Sequence, residues 1–136
     1  MTRRFENKVA IVTGAGCVGS GWGNGRAMAV RLAEEGARVL AVDRDAERLE
    51  ETLSLAGAAR GAIRPWVCDM TCANSVAAMA AACVEAFGTI DVLLNNVGGS
   101  APGGPVEITE EVWDAQIDFN LKSVYLACQH VLPTML

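Results

Sequence analysis

Between Thr13 and Gly25 the chain places six glycines in thirteen residues, Thr13-Gly14-Ala15-Gly16-Cys17-Val18-Gly19-Ser20-Gly21-Trp22-Gly23-Asn24-Gly25. An apolar run, Val9-Ala10-Ile11-Val12, leads into this segment, and a helical pattern from about Gly25 to Glu35 leaves it. A helix N-terminus draws anions through its free N–H groups and macrodipole, and glycines let a pyrophosphate approach the backbone. The spacing Gly14-x-Gly16-x-x-Gly19 is a weak signal alone; a strand before it, a helix after it and an acid further on supply the context it requires. That acid is Asp43, which ends the second apolar run 18 residues past Gly25. A carboxylate there accepts hydrogen bonds from the adenosine ribose hydroxyls and repels a 2′-phosphate, favouring NAD over NADP as the cofactor. Arg44 beside it pulls the other way, because an arginine can hold that phosphate. The blander readings are a ligand-free flexible loop and, for Asp43, a turn residue before a capping Asp45.

These residues need a scaffold, and the pattern of the chain supplies one. Four apolar runs recur, Val9–Val12, Val39–Val42, Ile63–Cys68 and Val92–Leu94, each followed by a helical pattern. Continuous rather than alternating runs of this length fit strands of a parallel sheet covered on both faces. The first helix meets a left-handed stop at Gly36. Asp45 can cap the second, whose Leu49, Leu53 and Ala56 share a face, and Thr71 can cap the third, which Gly88 ends. A Gly/Pro/Ser loop over Gly98–Pro105 precedes a long helix from about Glu110 to near Pro133. Its Trp113, Ile117, Leu121, Val124, Cys128 and Val131 form one apolar face, and Val112, Phe119 and Leu126 a second. This alternation predicts βαβ units with right-handed crossovers: an α/β fold, a Rossmann-like three-layer αβα sandwich on a parallel sheet of order 3-2-1-4, with a switch point between strands 1 and 4.

Composition sets the outer bounds. A chain of 136 residues fits one domain, and 51% apolar against 20% charged residues excludes intrinsic disorder. Eleven basic against 16 acidic residues leave a net charge of −5, which argues against nucleic acid or an anionic membrane as a partner. No apolar stretch is long enough to span a bilayer, and the N-terminus lacks a signal-peptide core, so a cytoplasmic chain is expected. Five cysteines without a CxxC pair, and one distant histidine, His130, make a poor metal set; reduced thiols are expected and no metal site.

Four features together resemble the short-chain dehydrogenase/reductase family: Thr13-Gly14 with its glycine loop, Asp69 after strand 3, Asn95-Asn96-Val97-Gly98 after strand 4, and Asn120 in the long helix. The Asn-Asn-x-Gly segment is the most specific of them. The resemblance covers nearly the whole chain, yet only the N-terminal, coenzyme-binding part of a family domain. It implies that Asp69 contacts the adenine with Met70 at the ring, and that Asn95 ties strand 4 to its neighbours. It further implies that Asn96, Val97 and Gly98 line the nicotinamide ribose, and that Asn120 is the catalytic Asn that holds a water in a proton relay.

Two departures stand out. The family loop is Thr-Gly-x-x-x-Gly-x-Gly, and here Val18 occupies the first of its later glycine positions. Counting back from the helix makes Gly23-Asn24-Gly25 the final pair and leaves about five extra residues around Cys17–Trp22; counting from the strand makes Gly19-Ser20-Gly21 the pair, with one extra. The helix register is favoured, because phosphates must meet the helix wherever it begins. The second departure is catalytic: the family's Ser and its Tyr-x-x-x-Lys pair are missing, since the single Tyr125 is followed four residues on by Gln129. Tyr125 therefore reads as a packing residue inside the helix.

The domain is thus expected to be incomplete at its C-terminus, with strand 4 left as an edge and the long helix short of neighbours. A homo-oligomer, or docking with a complementing C-terminal segment, follows from that. The leading reading is the coenzyme-binding half of an NAD-dependent oxidoreductase acting on an alcohol or carbonyl, binding NAD weakly and turning over negligibly alone. A non-catalytic nucleotide-binding or assembly module is the alternative. A Rossmann-like methyltransferase is disfavoured by Thr13-Gly14 and Asn95–Gly98, and a P-loop NTPase by Ser20 standing where its lysine belongs.

Overall fold

The computed structural model describes residues 3–136. Four parallel strands, β1 (Val9–Thr13), β2 (Arg38–Asp43), β3 (Ile63–Val67) and β4 (Val92–Leu94), pair in the order β3-β2-β1-β4. Helix α1 (Asn24–Glu34) connects β1 to β2, and α2 (Ala46–Leu55) with a 3₁₀ segment (Gly57–Ala62) connects β2 to β3. Helix α3 (Ala73–Phe87) connects β3 to β4, and α4 (Glu110–Ile117), a π-turn (Asp118–Lys122) and α5 (Ser123–Met135) follow.

Because successive strand side chains point to opposite faces, β1 feeds two cores. Val9 and Ile11 join Leu40 and Val42 against α3 and α5, through Val76, Met79, Cys83, Leu126 and Val131. Ala10 and Val12 join Val39 and Ala41 against α1 and α2, through Ala29, Ala33, Leu49 and Leu53. The small side chains of the second core let α1 lie close to the sheet. The expected three-layer sandwich and strand order are therefore present. Gly36 and Gly88, at φ +100° and +87°, end α1 and α3 in the left-handed conformation that glycine adopts without Cβ strain. No described helix is long and apolar enough to cross a membrane.

Three local expectations are corrected. Strand β3 is not doubly covered: Arg64, Pro65 and Val67 are exposed, as suits an edge strand whose proline donates no ladder bond. Helix α3 has Cys72, not Thr71, at its N-cap; Thr71 instead donates its N–H and hydroxyl to Asp69 Oδ1 at 2.9 and 2.6 Å. The long helix is interrupted by the π-turn, which inserts a residue per turn and rotates the faces on either side of it. Before and within that turn Trp113, Ile117 and Leu121 are exposed, α4 having no buried residue, whereas Val131 of the same stripe is buried, so the first apolar stripe does not run on as one buried face. Tyr125, read as packing, is 59% exposed.

The N-terminal segment is anchored to the end of α1 by charge. Glu35 is buried and accepts from Arg4 Nε (2.9 Å), Arg4 Nη2 (2.8 Å) and Arg31 Nη2 (2.7 Å). The Arg4 hydrogen bonds, outweighing burial, hold the Glu35 carboxyl at about 2. A depressed carboxylate pKa contributes stability that is complete above the unfolded value of 4.5 and is lost as pH falls through about 2. Glu35→Gln is expected to lower the Tm at neutral pH, with the difference from the parent shrinking steadily from about 4.5 down to 2. Thermal melts across that range check this, and a pH-independent difference would contradict it.

Candidate functional site

The C-terminal ends of β1, β2, β3 and β4 open onto one cleft of about 580 Å³ at the switch point between β1 and β4. Its lining gathers Gly14, Gly23, Asn24, Gly25, Asp43, Arg44, Asp69, Met70, Asn96, Val97 and Gly98, residues spread over 85 positions of sequence (98 − 14 + 1). Of the residues read from sequence as coenzyme contacts, Gly19 alone does not line it. Gly19 is exposed, with nothing within 4 Å of a built Cβ.

The floor is set by close backbone approach. A Cβ on Gly25 would stand 1.8 Å from the Gly14 carbonyl oxygen and 2.4 Å from Asn96 Nδ2, so helix α1 meets the β1 turn only because residue 25 has no side chain. Gly23 is the N-cap of α1, and Gly23, Asn24 and Gly25, where the helix leaves its first amides unpaired, line the cleft. Asn96 locks β4 to this turn: its N–H donates to Thr13 Oγ1 (3.1 Å) and its Nδ2 to Gly14 O (3.1 Å). Asn95, to which the resemblance gave that tie, is exposed and donates only to Cys128 Sγ at 3.8 Å.

At the far end, Asp43 Oδ2 accepts from Gly16 N–H (3.0 Å) and Oδ1 from Asp45 N–H (3.1 Å). Each oxygen keeps acceptor capacity for a further donor. A Cβ on Gly16 would lie 2.9 Å from Asp43 Oδ2, so this glycine too is required by proximity. Asp69 is held as an anion by the Thr71 hydroxyl and amide, which lower its pKa. Met70 is buried beside it, against Cys68. Burial pushes the Cys68 thiol up, and pushes Cys83 up to about 11, so neither is a ready thiolate.

Asn120 lies in the π-turn. Its Oδ1 accepts from Gly99 N–H (2.9 Å) and its Nδ2 donates to Gln116 O (2.9 Å), which ties the loop after β4 to the long helix. Two contributors were not legible in sequence. Phe119, assigned there to a core-facing stripe, lines the cleft from within the π-turn. Arg26 is fully buried and donates to Thr52 Oγ1 (2.9 Å), Arg48 O (3.0 Å), Glu51 Oε2 (3.2 Å) and the Gly21 carbonyl, clamping the enlarged loop onto α2. Nothing in the pattern marks an arginine at the third position of a helix as internal. Among the described residues no group of three or more His, Cys, Asp or Glu could hold a metal ion, and the five cysteines are free.

A parallel sheet of this order with helices on both faces, and a glycine-lined cleft at its switch point, defines a Rossmann-like fold. The sequence profile of the short chain dehydrogenases matches residues 8–136, and the chain belongs to that family. It is 40% identical to D-threitol dehydrogenase of Mycolicibacterium smegmatis over 98% of its own length and 49% of the relative's. It is 36% identical to a 3-oxoacyl-[acyl-carrier-protein] reductase of Thermotoga maritima, covering 98% and 52%. A Burkholderia xenovorans structure described as a short-chain dehydrogenase/reductase superposes with a TM-score of 0.93 at 51% identity, covering 99% of this chain and 53% of that one. A metagenomic short-chain oxidoreductase solved with NADP superposes with a TM-score of 0.86 at 37% identity, covering 96% and 57%. The chain thus spans about half the length of the relatives it matches.

Proposed function

We propose that this chain is the coenzyme-binding part of an NAD-dependent oxidoreductase that interconverts a small alcohol and its carbonyl compound. The observation that carries the reading is the cradle formed where Gly25 meets Gly14 and Asn96, in which a single Cβ has no room. Beneath it the N-terminal amides of α1 receive the pyrophosphate, with Gly23, Asn24 and Gly25 at the contact. Asp43 accepts the hydroxyls of the adenosine ribose, which favours NAD over NADP. Asp69 and Met70 bound the adenine, and Asn96, Val97 and Gly98 form the wall beside the nicotinamide ribose. Bound there, the coenzyme supplies the hydride chemistry at its nicotinamide ring. Asn120 orders that wall through Gly99 and holds a water of the proton relay beside the π-turn.

The exposed Trp113, Ile117, Leu121, Tyr125 and Leu132 support association through α4 and α5, with a second copy or with a complementing C-terminal segment. The free thiols and acidic balance support a reducing, cytoplasmic setting.

A hydride-transfer assay tests the reading, run on this chain and on the chain joined to the C-terminal half of a relative such as D-threitol dehydrogenase. NAD is expected to bind both, with turnover of secondary alcohols in the joined protein and negligible turnover by the chain alone. Tight NAD binding without turnover in the joined protein would favour a non-catalytic binding module. Absence of binding in both would overturn the proposal.

A further inference from the structure

We propose that Phe119 sets coenzyme preference by holding the Arg44 guanidinium away from the sugar position beside Asp43. The inference rests on the cleft's reading as a dinucleotide site and goes beyond it, because it assigns a specificity role to a residue on the opposite wall. Arg44 directly follows the acid that faces the ribose, and on sequence alone it is as able to hold a 2′-phosphate as Asp43 is to repel one. Its position in the structure separates the two. The Arg44 guanidinium carbon lies over the Phe119 ring, 5.3 Å from the centroid. Both side chains line the cleft, one from the end of β2 and one from the π-turn.

The surroundings favour this resting place. Among the described residues Arg44 forms no ion pair; the Asp69 carboxylate feels its charge but is held by the Thr71 hydroxyl and amide. The neighbouring cation, Arg48, is engaged by Asp45 at 3.3 Å. The ring itself is confined from behind: a Cβ on Gly99 would lie 3.0 Å from Phe119 Cε1. The π-turn delivers the ring to the cleft, and the ring in turn positions the arginine. With Arg44 parked there, the carboxylate of Asp43 dominates the ribose end and a 2′-phosphate meets repulsion without a compensating cation. Released from Phe119, the long Arg44 side chain gains access to that phosphate.

An exposed cation–π pair corresponds to about two- to fivefold in an equilibrium constant. Titrations of NADH and NADPH by coenzyme fluorescence, on the chain and its Phe119→Leu, Phe119→Trp, Arg44→Ala and Phe119→Leu/Arg44→Ala variants, test the idea. Phe119→Leu is expected to shift the NADH-to-NADPH ratio of Kd values by about two- to fivefold toward NADPH. Phe119→Trp retains an aromatic face and is expected to hold the parent ratio. The double variant is expected to lose the gain, since the gain belongs to Arg44. An unchanged ratio in Phe119→Leu, or a gain that survives without Arg44, would overturn the proposal. A parent chain that already prefers NADPH would overturn the NAD reading separately, because the Arg44-dependence of the Phe119→Leu shift still reports whether the ring restrains the arginine. Failure of every variant to bind either dinucleotide while the parent binds both would also count against it, as would a parent that binds neither.

Discussion

Gly25→Ala is expected to cripple dinucleotide binding and to destabilise the fold together. The added Cβ would stand 1.8 Å from the Gly14 carbonyl oxygen and 2.4 Å from Asn96 Nδ2, and both are fixed parts of the structure. Neither neighbour can yield cheaply. Gly14 leads out of β1, and the Asn96 amide already donates to the Gly14 carbonyl, so moving either separates β4 from the glycine turn. Overpacking of this kind costs about 1–3 kcal/mol and more where backbone must shift, which places this variant at about 3 kcal/mol. Displacing the first turn of α1 also misaims the amides proposed to receive the phosphates, and NAD affinity is expected to fall at least about tenfold. Gly19→Ala is the contrasting control, because nothing lies within 4 Å of its Cβ and it stands off the cleft. Denaturant unfolding and NAD titration of the two variants check both halves. Equal effects at positions 19 and 25 would return the glycine register to the strand-counted alternative.

Arg26→Met is expected to produce the second large loss. A methionine fills much of the same space but withdraws charged donors from three acceptors, two of which keep another partner through the Thr52 hydroxyl's bonds to Ala15 O (2.8 Å) and Arg48 O (3.1 Å). The three acceptors are the Thr52 hydroxyl at 2.9 Å, the Arg48 carbonyl at 3.0 Å and the Gly21 carbonyl, all at or near the seam between α1, α2 and the enlarged loop. Glu51 is 39% exposed, so its carboxylate regains water and adds little to the penalty. The lost charged hydrogen bonds together suggest about 2–4 kcal/mol. Glu51→Gln, by the same reasoning, is expected to cost no more than about 1 kcal/mol. Urea unfolding distinguishes them. A small loss for Arg26→Met would mean that water reaches the seam and the clamp is dispensable.

Most of the fold was legible because its signals are local and redundant. Val9–Val12 and Val39–Val42 are continuous apolar runs, and such runs belong to strands with helices on both sides. Asp45 caps α2 by accepting from Glu47 and Arg48 N–H, a pairing that three residues of sequence specify. The cleft was legible where residue type is forced by backbone approach, as at Gly25, or where a strand ends in an acid, as at Asp43. What escaped depends on contacts made across the chain. The π-turn at Asp118–Lys122 leaves no periodic trace, so the apolar spacing alone puts Phe119 on the wrong face; Tyr125 reads as packing for want of a lysine four residues on, and it is exposed. Arg26 was invisible because a charged residue reads as surface until four partners from α2 and the loop close around it. Strand β3 reads as a buried run by composition, and only its place at the sheet edge explains Pro65 and the exposed Val67.

A dinucleotide is proposed to lie along the strand ends, phosphates at α1 and adenosine between Asp43 and Asp69. Residue-resolved amide hydrogen exchange, with and without saturating NAD, tests it most directly. New protection is expected at Gly16, at residues 23–26, at Asp43 and Asp69, and at residues 96–98, with residues 110–117 unchanged. Protection confined to the α4 surface, or none at the start of α1, would contradict it.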